Sequence, residues 1–261
     1  MVTELRQGTG AADGSRRSSV EAGGALVYSY FGHKGRRGMI LTFPEVVSES
    51  EHREILGMVA AAEFVDGRET ASPLLAGSKD NQQIRRDAAQ VQAVTEILLG
   101  ALRRNSAFCS AVYPKQLHSL LVSRYREGMR YGPHVDRALM GEATLWRTDL
   151  SVTLFLNEPD QYAGGELALE SGSGAFMVKL PARALVCYPT GQLHQVRPVT
   201  RGERLAVVAW IQSHVRETAA REVLRDLART LEILRPQGGQ SDAYDLVNKT
   251  HMNLLRRWSE P

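Results

Sequence analysis

The period of apolar positions changes twice along the chain and divides it into three stretches. Residues 1–24, rich in Gly, Ser, Ala and charge, show no period and predict a disordered extension. Tyr28 to Phe31 fits a short strand or a hydrophobic tether, and residues 1–38 as a whole read as outside the domain. Met39-Ile40-Leu41-Thr42-Phe43 is the first clear strand, ended by Pro44. Ser48 with Glu51 forms a capping box that opens a helix with Ile55, Val59 and Ala62 on one face. A loop-like stretch over 66–82, punctuated by Gly67, Pro73, Gly77 and Asn81, leads to a second helix over about 87–104. There Val91, Val94, Leu98 and Leu102 recur at helical spacing and predict a core-facing stripe.

From Leu117 to about Gln212 the period falls to two. Leu150, Val152, Leu154 and Leu156 share one strand face, and Gly164-Gly165 turns the chain before Glu166–Leu169. Further strands are predicted over 183–188, 193–196 and 204–211. After Ser213 the helical period returns with Val223, Leu227, Leu231 and Leu234, stopped by Pro236 and Gly238-Gly239, and a last amphipathic segment covers 242–258. The pattern predicts an α+β domain over 39–213 with a β-sandwich or jelly roll at about 117–212, followed by a helical segment over 214–261.

Composition narrows the function classes. With 43% hydrophobic and 23% charged residues, 261 residues suffice for one packed domain. A net charge of +3 makes no case for nucleic acid or an anionic membrane as partner. Cys109 and Cys187 are far apart and in no CxxC, which argues against a zinc site or disulfide scaffold and predicts two reduced thiols. The longest apolar run, Leu205–Ile211, is far short of the roughly 20 residues of a membrane span. Arg16-Arg17 has no apolar segment after it to make an export signal, so the expected location is cytoplasmic; the sequence does not specify an oligomeric state.

His134-Val135-Asp136 carries the candidate chemistry. On an extended segment residues i and i+2 point the same way, so an imidazole and a carboxylate can reach one metal from a single strand end. His194, at the start of a later strand, completes two histidines and one carboxylate, the facial triad of non-haem Fe(II) oxygenases. Three open positions then suit a bidentate 2-oxo acid and dioxygen. Ten residues on, Arg204 enters an otherwise apolar strand, Leu205 to Ile211. A guanidinium buried there needs an anion, and its planar fork matches a carboxylate in two-point fashion. The distal carboxylate of 2-oxoglutarate satisfies that need; Glu203 or Asp149 would be the structural alternatives.

These residues sit in a longer ordered series. Tyr125 to Asp136 is followed by Arg147-Thr148-Asp149-Leu150-Ser151, Phe155-Leu156, Tyr162-Ala163-Gly164-Gly165-Glu166-Leu167 and Tyr188-Pro189. His194, Pro198 to Gly202, Arg204, Trp210 to Ser213 and Asn253-Leu254-Leu255-Arg256-Arg257-Trp258 continue it. The series resembles the PKHD-type hydroxylases of the prolyl-hydroxylase-like group, from about Met39 to the end. The resemblance implies a double-stranded β-helix (jelly-roll) core flanked by N-terminal and C-terminal helices, with Fe(II), 2-oxoglutarate as co-substrate and L-ascorbate as reductant. It assigns iron to His134, Asp136 and His194, and 2-oxoglutarate to Arg204 with Tyr125. Arg137 stands where this group usually carries Asn, which bears on substrate and not on iron chemistry, and His251-Met252 stands where it usually carries a tyrosine–histidine pair. Lys79, Asn81 and Gln83 alternate before the second helix and are candidates for the pocket mouth; Arg147 and Asp149 predict an internal ion pair. The expected activity is dioxygen-dependent hydroxylation of an unactivated C–H bond in a small metabolite, amino acid or peptidyl residue, with release of succinate and CO2. A non-catalytic cupin-like iron or 2-oxoglutarate sensing module is the alternative. Asp136 fills the position a halogenase leaves vacant for halide.

Overall fold

The first helix begins as its capping box requires: Ser48 Oγ accepts from the Glu51 amide, and the Glu51 carboxylate accepts from the Ser48 amide at 2.8 Å. The structure is a computed structural model, and it describes residues 17–20, 26–31, 37–70, 76–141, 143–171, 174–235 and 241–260. Most of the extension expected over 1–24 lies outside the described residues.

In chain order, β1 (Arg17–Val20), β2 (Leu26–Phe31) and β3 (Arg37–Phe43) precede α1 (Glu49–Ala60), β4 (Phe64–Asp66), β5 (Lys79–Asp80) and β6 (Gln82–Ile84). Then come α2 (Ala89–Arg104), α3 (Ser106–Val112), β7 (Pro114–Tyr125), β8 (Arg130–His134), β9 (Leu139–Met140) and β10 (Trp146–Arg147). The strands β11 (Leu150–Phe155), β12 (Tyr162–Gly164), β13 (Leu167–Ser171), β14 (Gly174–Val178) and β15 (Leu185–Pro189) follow. Last are β16 (His194–Val196), β17 (Val199–Gly202), β18 (Arg204–Ser213), α4 (Thr218–Leu234) and α5 (Asp242–Trp258).

Two sheets carry the architecture. A nine-stranded sheet runs β1-β2-β3-β15-β11-β18-β7-β6-β4, and a five-stranded sheet runs β14-β13-β16-β8-β5. Strands distant in sequence are neighbours in both, which is the jelly-roll topology. The nine-stranded sheet has two different faces because its strands alternate. Leu150, Val152 and Leu154 of β11 join Leu185, Cys187, Leu41, Phe43, Val207 and Ile211 in one apolar layer. That layer packs on Ile55, Val59, Val91, Val94, Leu98 and Leu102 of α1 and α2. The other face turns to the five-stranded sheet: Phe155, Val186, Tyr188 and Ile40 meet Leu167, Leu169 and Val178. Towards the open end of the sandwich this inner face becomes polar, with Ser123, Ser151, Thr153 and Arg204 all buried.

The expected strand Met39–Phe43, both early helices and the closing helix over 242–258 are present. Three features depart from the sequence pattern. First, α3 appears where none was predicted: Asn105 caps it by accepting from the Phe108 amide at 2.9 Å, and its seven residues are too few to display a period. Second, part of the loop over 66–82 is ordered by pairing, since Gln82 and Gln83 align with Arg124 and Ser123 of β7. Third, α4 buries Ala220, Arg221 and Leu224 and half-buries Leu227, Leu231 and Leu234 as the period predicts, while Val223, expected on that stripe, is 43% exposed. Arg221 is buried because it donates to the carbonyls of Val215 and Arg216 at 2.6 and 2.8 Å, which lead into the helix. Arg147 and Asp149 form the expected pair at 2.7 Å, and both cysteines are free. No helix among the described residues is long and apolar enough to cross a membrane.

Two strands ahead of β3 are described, β1 paired with β2 and β2 with β3. The pairing of β3 with β15 uses only Leu41, Thr42 and Phe43. A chain starting at Met39 retains that ladder, so it is expected to stay soluble with a cooperative thermal transition and unimpaired 2-oxoglutarate turnover. Insolubility or loss of turnover in the truncated chain would make the preceding strands part of the folding unit.

Candidate active site

His134 closes β8 and His194 opens β16, and the register makes them direct cross-strand partners. Each Nδ1 lies 2.8 Å from a carbonyl two residues back, Gly132 O and Gln192 O respectively. A carbonyl only accepts, so Nδ1 carries the proton and the Nε2 lone pair is left to face inward. The ring centroids are 4.2 Å apart. Burial, and then the neighbouring His194, hold the His134 pKa below its ordinary value, so the imidazole is neutral and ready to ligate. Two residues past His134, Asp136 brings Oδ1 to 3.7 Å from His134 Nε2 and Oδ2 to 3.7 Å from His194 Nε2. One donor atom from each of the three residues lies within 4.8 Å of the others. Two imidazoles and one carboxylate on a common face can hold Fe(II), and the donor set fits that ion.

Asp136 is aimed from the opposite sheet. Ser151 Oγ and Trp210 Nε1 each donate to Asp136 Oδ2 at 2.8 Å, and Ser151 and Trp210 are themselves cross-strand partners on β11 and β18. With Oδ2 taken by two donors, Oδ1 is the oxygen left for a metal. Neither role was legible in the sequence. A serine and a tryptophan in apolar strands are the one local signal, because each carries a donor that burial obliges to find an acceptor.

Arg204 begins β18 opposite Tyr125, the last residue of β7. Its side chain is 1% exposed, its Nε has no hydrogen-bond partner, and its guanidinium lies 5.4 and 5.3 Å from the ring centroids of Tyr125 and Phe155. Both structural alternatives are engaged elsewhere: Glu203 lies 3.7 and 3.4 Å from Arg124 and Arg126, and Asp149 pairs with Arg147. Gly165, at φ +67°, leaves the room: a Cβ there would stand 3.1 Å from Arg204 Cδ. A buried guanidinium in an aromatic cradle fits a carboxylate of 2-oxoglutarate.

His134, Asp136, His194, Arg204 and Tyr125 all line one cavity of about 440 Å³, within the range of small-ligand sites. Lys79 and Gln83 line it too. Asn81 is buried beside Gly67, whose missing Cβ would overlap the Asn81 side chain. Tyr131 stacks on His134 with centroids 3.6 Å apart, and Arg137 stands at the rim, exposed. His251 is distant from this chemistry and shares a 3.0 Å hydrogen bond with the Tyr113 hydroxyl.

The fold and this polar pocket have counterparts. The sequence model of the 2OG-Fe(II) oxygenase superfamily matches residues 120–212, the stretch from β7 to β18 that holds every residue of the pocket discussed above except Lys79 and Gln83. An oxidoreductase of the 2OG-Fe(II) oxygenase family from Burkholderia pseudomallei shares the fold, with a TM-score of 0.53 over 66% of this chain and 85% of that one, at 17% identity. The class is therefore the Fe(II)- and 2-oxoglutarate-dependent dioxygenases. A PKHD-type hydroxylase of Synechococcus sp. (strain JA-2-3B'a(2-13)) is 46% identical over 223 residues, 85% of this chain and 100% of the relative. Another, from Synechococcus elongatus, is 44% identical over the same share of each chain. The chain belongs to the PKHD-type hydroxylases, and its activity is hydroxylation dependent on Fe(II) and 2-oxoglutarate.

Trp210→Phe keeps the ring and removes one of the two donors to Asp136. Anaerobic titration is expected to register Fe(II) binding weakened by about 10- to 100-fold, and Ser151→Ala by a comparable factor. Unchanged affinity in both variants would mean that Asp136 is not oriented through this pair.

Proposed function

We propose that His134, Asp136 and His194 hold the iron, that Arg204 with Tyr125 holds the distal carboxylate of 2-oxoglutarate, and that the enzyme hydroxylates a small metabolite, amino acid or peptidyl residue. The observation that carries this reading is the buried Arg204 without a carboxylate partner among the described residues, in the same cavity as the three convergent donor atoms. When bound, iron with 2-oxoglutarate and dioxygen supplies the oxidant for the C–H bond, and 2-oxoglutarate leaves as succinate and CO2; L-ascorbate keeps the metal reduced.

The protein's own part is orientation and exclusion of water. The Nδ1–H bonds to Gly132 and Gln192 fix both imidazoles in the ligating tautomer. Ser151 and Trp210 hold Asp136. Tyr131 closes one side of His134, and Tyr188 stands edge-on to His194 at 5.2 Å. Burial raises the pKa of Tyr125 and carries that of Tyr188 well above the ordinary value, so both phenols remain neutral donors.

Each of His134→Ala, Asp136→Ala and His194→Ala is expected to abolish succinate formation, because two remaining ligands do not maintain the facial geometry. Arg204→Lys keeps the charge and loses the fork. It is expected to raise the 2-oxoglutarate KM by about one to two orders of magnitude, equivalent to ~1.4–2.8 kcal/mol of binding, with iron affinity retained. Titrating 2-oxoglutarate into the anaerobic Fe(II) enzyme and following its metal-to-ligand charge-transfer band measures this directly. Unaltered affinity in Arg204→Ala would sink the assignment. A protein that binds both groups and forms no succinate in air would be the sensing module instead.

A further inference from the structure

The cavity holds more positive charge than its co-substrate uses. Four cationic side chains line it, Lys79, Arg86, Arg137 and Arg204, against one carboxylate, Asp136. Fe(II) and the dianion of 2-oxoglutarate cancel each other in net charge, and Asp136 offsets one of the four cations; Arg204 is the one assigned to 2-oxoglutarate. Lys79, Arg86 and Arg137 are left over.

Lys79 is the informative one. It is 4% exposed, lies on β5 in the five-stranded sheet, and makes no ion pair among the described residues. Its Nζ donates to Thr70 Oγ1 at 2.6 Å and sits 5.1 Å from the centroid of Tyr131, the ring that stacks on His134. A neutral hydroxyl and an aromatic ring do not compensate a buried ammonium. Burial, and then the Arg86 guanidinium, push its pKa down to about 8, as expected of a cation that lacks its anion. Arg86 and Arg137 are exposed at the rim and add an attractive field for an anion on its way in.

We propose that Lys79 is a substrate-binding residue and that the substrate carries a carboxylate, held by Lys79 beside the Tyr131 ring. The proposal rests on the oxygenase reading above and names the substrate class. One buried ammonium matches one negative charge; a phosphate dianion would call for a second buried cation at the same point. Because Lys79 and His134 both stand against a single tyrosine ring, with Nζ 5.1 Å and the imidazole centroid 3.6 Å from its centre, the oxidised carbon lies a few bonds from the carboxylate. A free amino acid, or the C-terminal residue of a short peptide, has that form.

The test uses the anaerobic Fe(II)–2-oxoglutarate enzyme and a panel of matched pairs: free amino acids and their amides, N-acetyl amino acids and their amides, dipeptides and their amides, together with phosphoserine and phosphoethanolamine. Perturbation of the charge-transfer band reports binding, and succinate release on admitting air reports turnover. At least one acid is expected to bind at least ten-fold more tightly than its amide. Lys79→Met is expected to weaken that acid at least ten-fold more than it weakens 2-oxoglutarate, and Lys79→Arg to restore part of the loss. Arg86→Met and Arg137→Met, at exposed positions, are expected to weaken the acid at low ionic strength and less so in salt. Dipeptides binding better than free or N-acetyl amino acids would identify the carboxylate as a peptide terminus; the reverse order would identify a small metabolite. A normal 2-oxoglutarate band with acids and amides bound alike, no acid bound at all, a phosphate monoester preferred, or a Lys79→Met defect confined to 2-oxoglutarate would each overturn the proposal while leaving the oxygenase reading intact. Absence of the 2-oxoglutarate band would overturn both.

Discussion

The carboxylate of Asp136 joins the two sheets chemically. It stands beside two imidazoles carried by the five-stranded sheet and accepts both of its hydrogen bonds from Ser151 and Trp210 of the nine-stranded sheet. Each sheet supplies a cross-strand pair, His134 with His194 and Ser151 with Trp210, and the carboxylate lies where the pairs meet. Cross-strand neighbours are about 4.5–5.5 Å apart at Cβ, so two ladder registers are sufficient to converge donors on one point. A slip of one residue in either register would turn a histidine or the tryptophan to the opposite face.

That registration is maintained by the unlike faces of the nine-stranded sheet. Its outer face is continuous with the helix layer through Leu150, Val152 and Leu154, which are buried beneath α1 and α2. The inner face carries Ser123, Ser151, Thr153 and Arg204, groups that would be costly in an apolar core. The apolar face makes the sheet stable and the polar face makes it a site. The burial that strengthens every electrostatic contact inside the cavity also leaves Arg204 and Lys79 without charged partners among the described residues, and both therefore point to ligands.

Membership of the PKHD-type hydroxylases accounts for the iron and 2-oxoglutarate chemistry and leaves the substrate to local detail. That detail lies outside the motif from Tyr125 to Asp136: Lys79 comes from a two-residue strand ahead of the second helix, and Arg86 from the turn between β6 and that helix. Such connecting segments can vary while the ligand-bearing strands keep their registers, so one scaffold can retain its metal chemistry and change what it oxidises.

Sequence by itself determined the elements whose signal is local. The Ser48 capping box, the stripe from Val91 to Leu102, the alternation from Leu150 to Leu156 and the double-glycine turn all correspond to structure, because each rests on hydrogen bonds or periodicity within a few residues. The spacing of His134 and Asp136 and the isolation of Arg204 in an apolar strand were legible for the same reason: i and i+2 share a side, and a charge among aliphatics demands an anion. Short or composite features were not legible. The seven residues of α3 are too few to show a period, and at the start of α4 Arg221 goes inward, in place of Val223, to donate to carbonyls that only the folded chain presents. Only the tertiary structure decided that Ser151 and Trp210 share an acceptor and that Lys79 is buried in the same cavity. These are relations between residues some 15 to 74 positions apart for the Asp136 contacts, and they exist only once strand pairing has closed the intervening chain into loops.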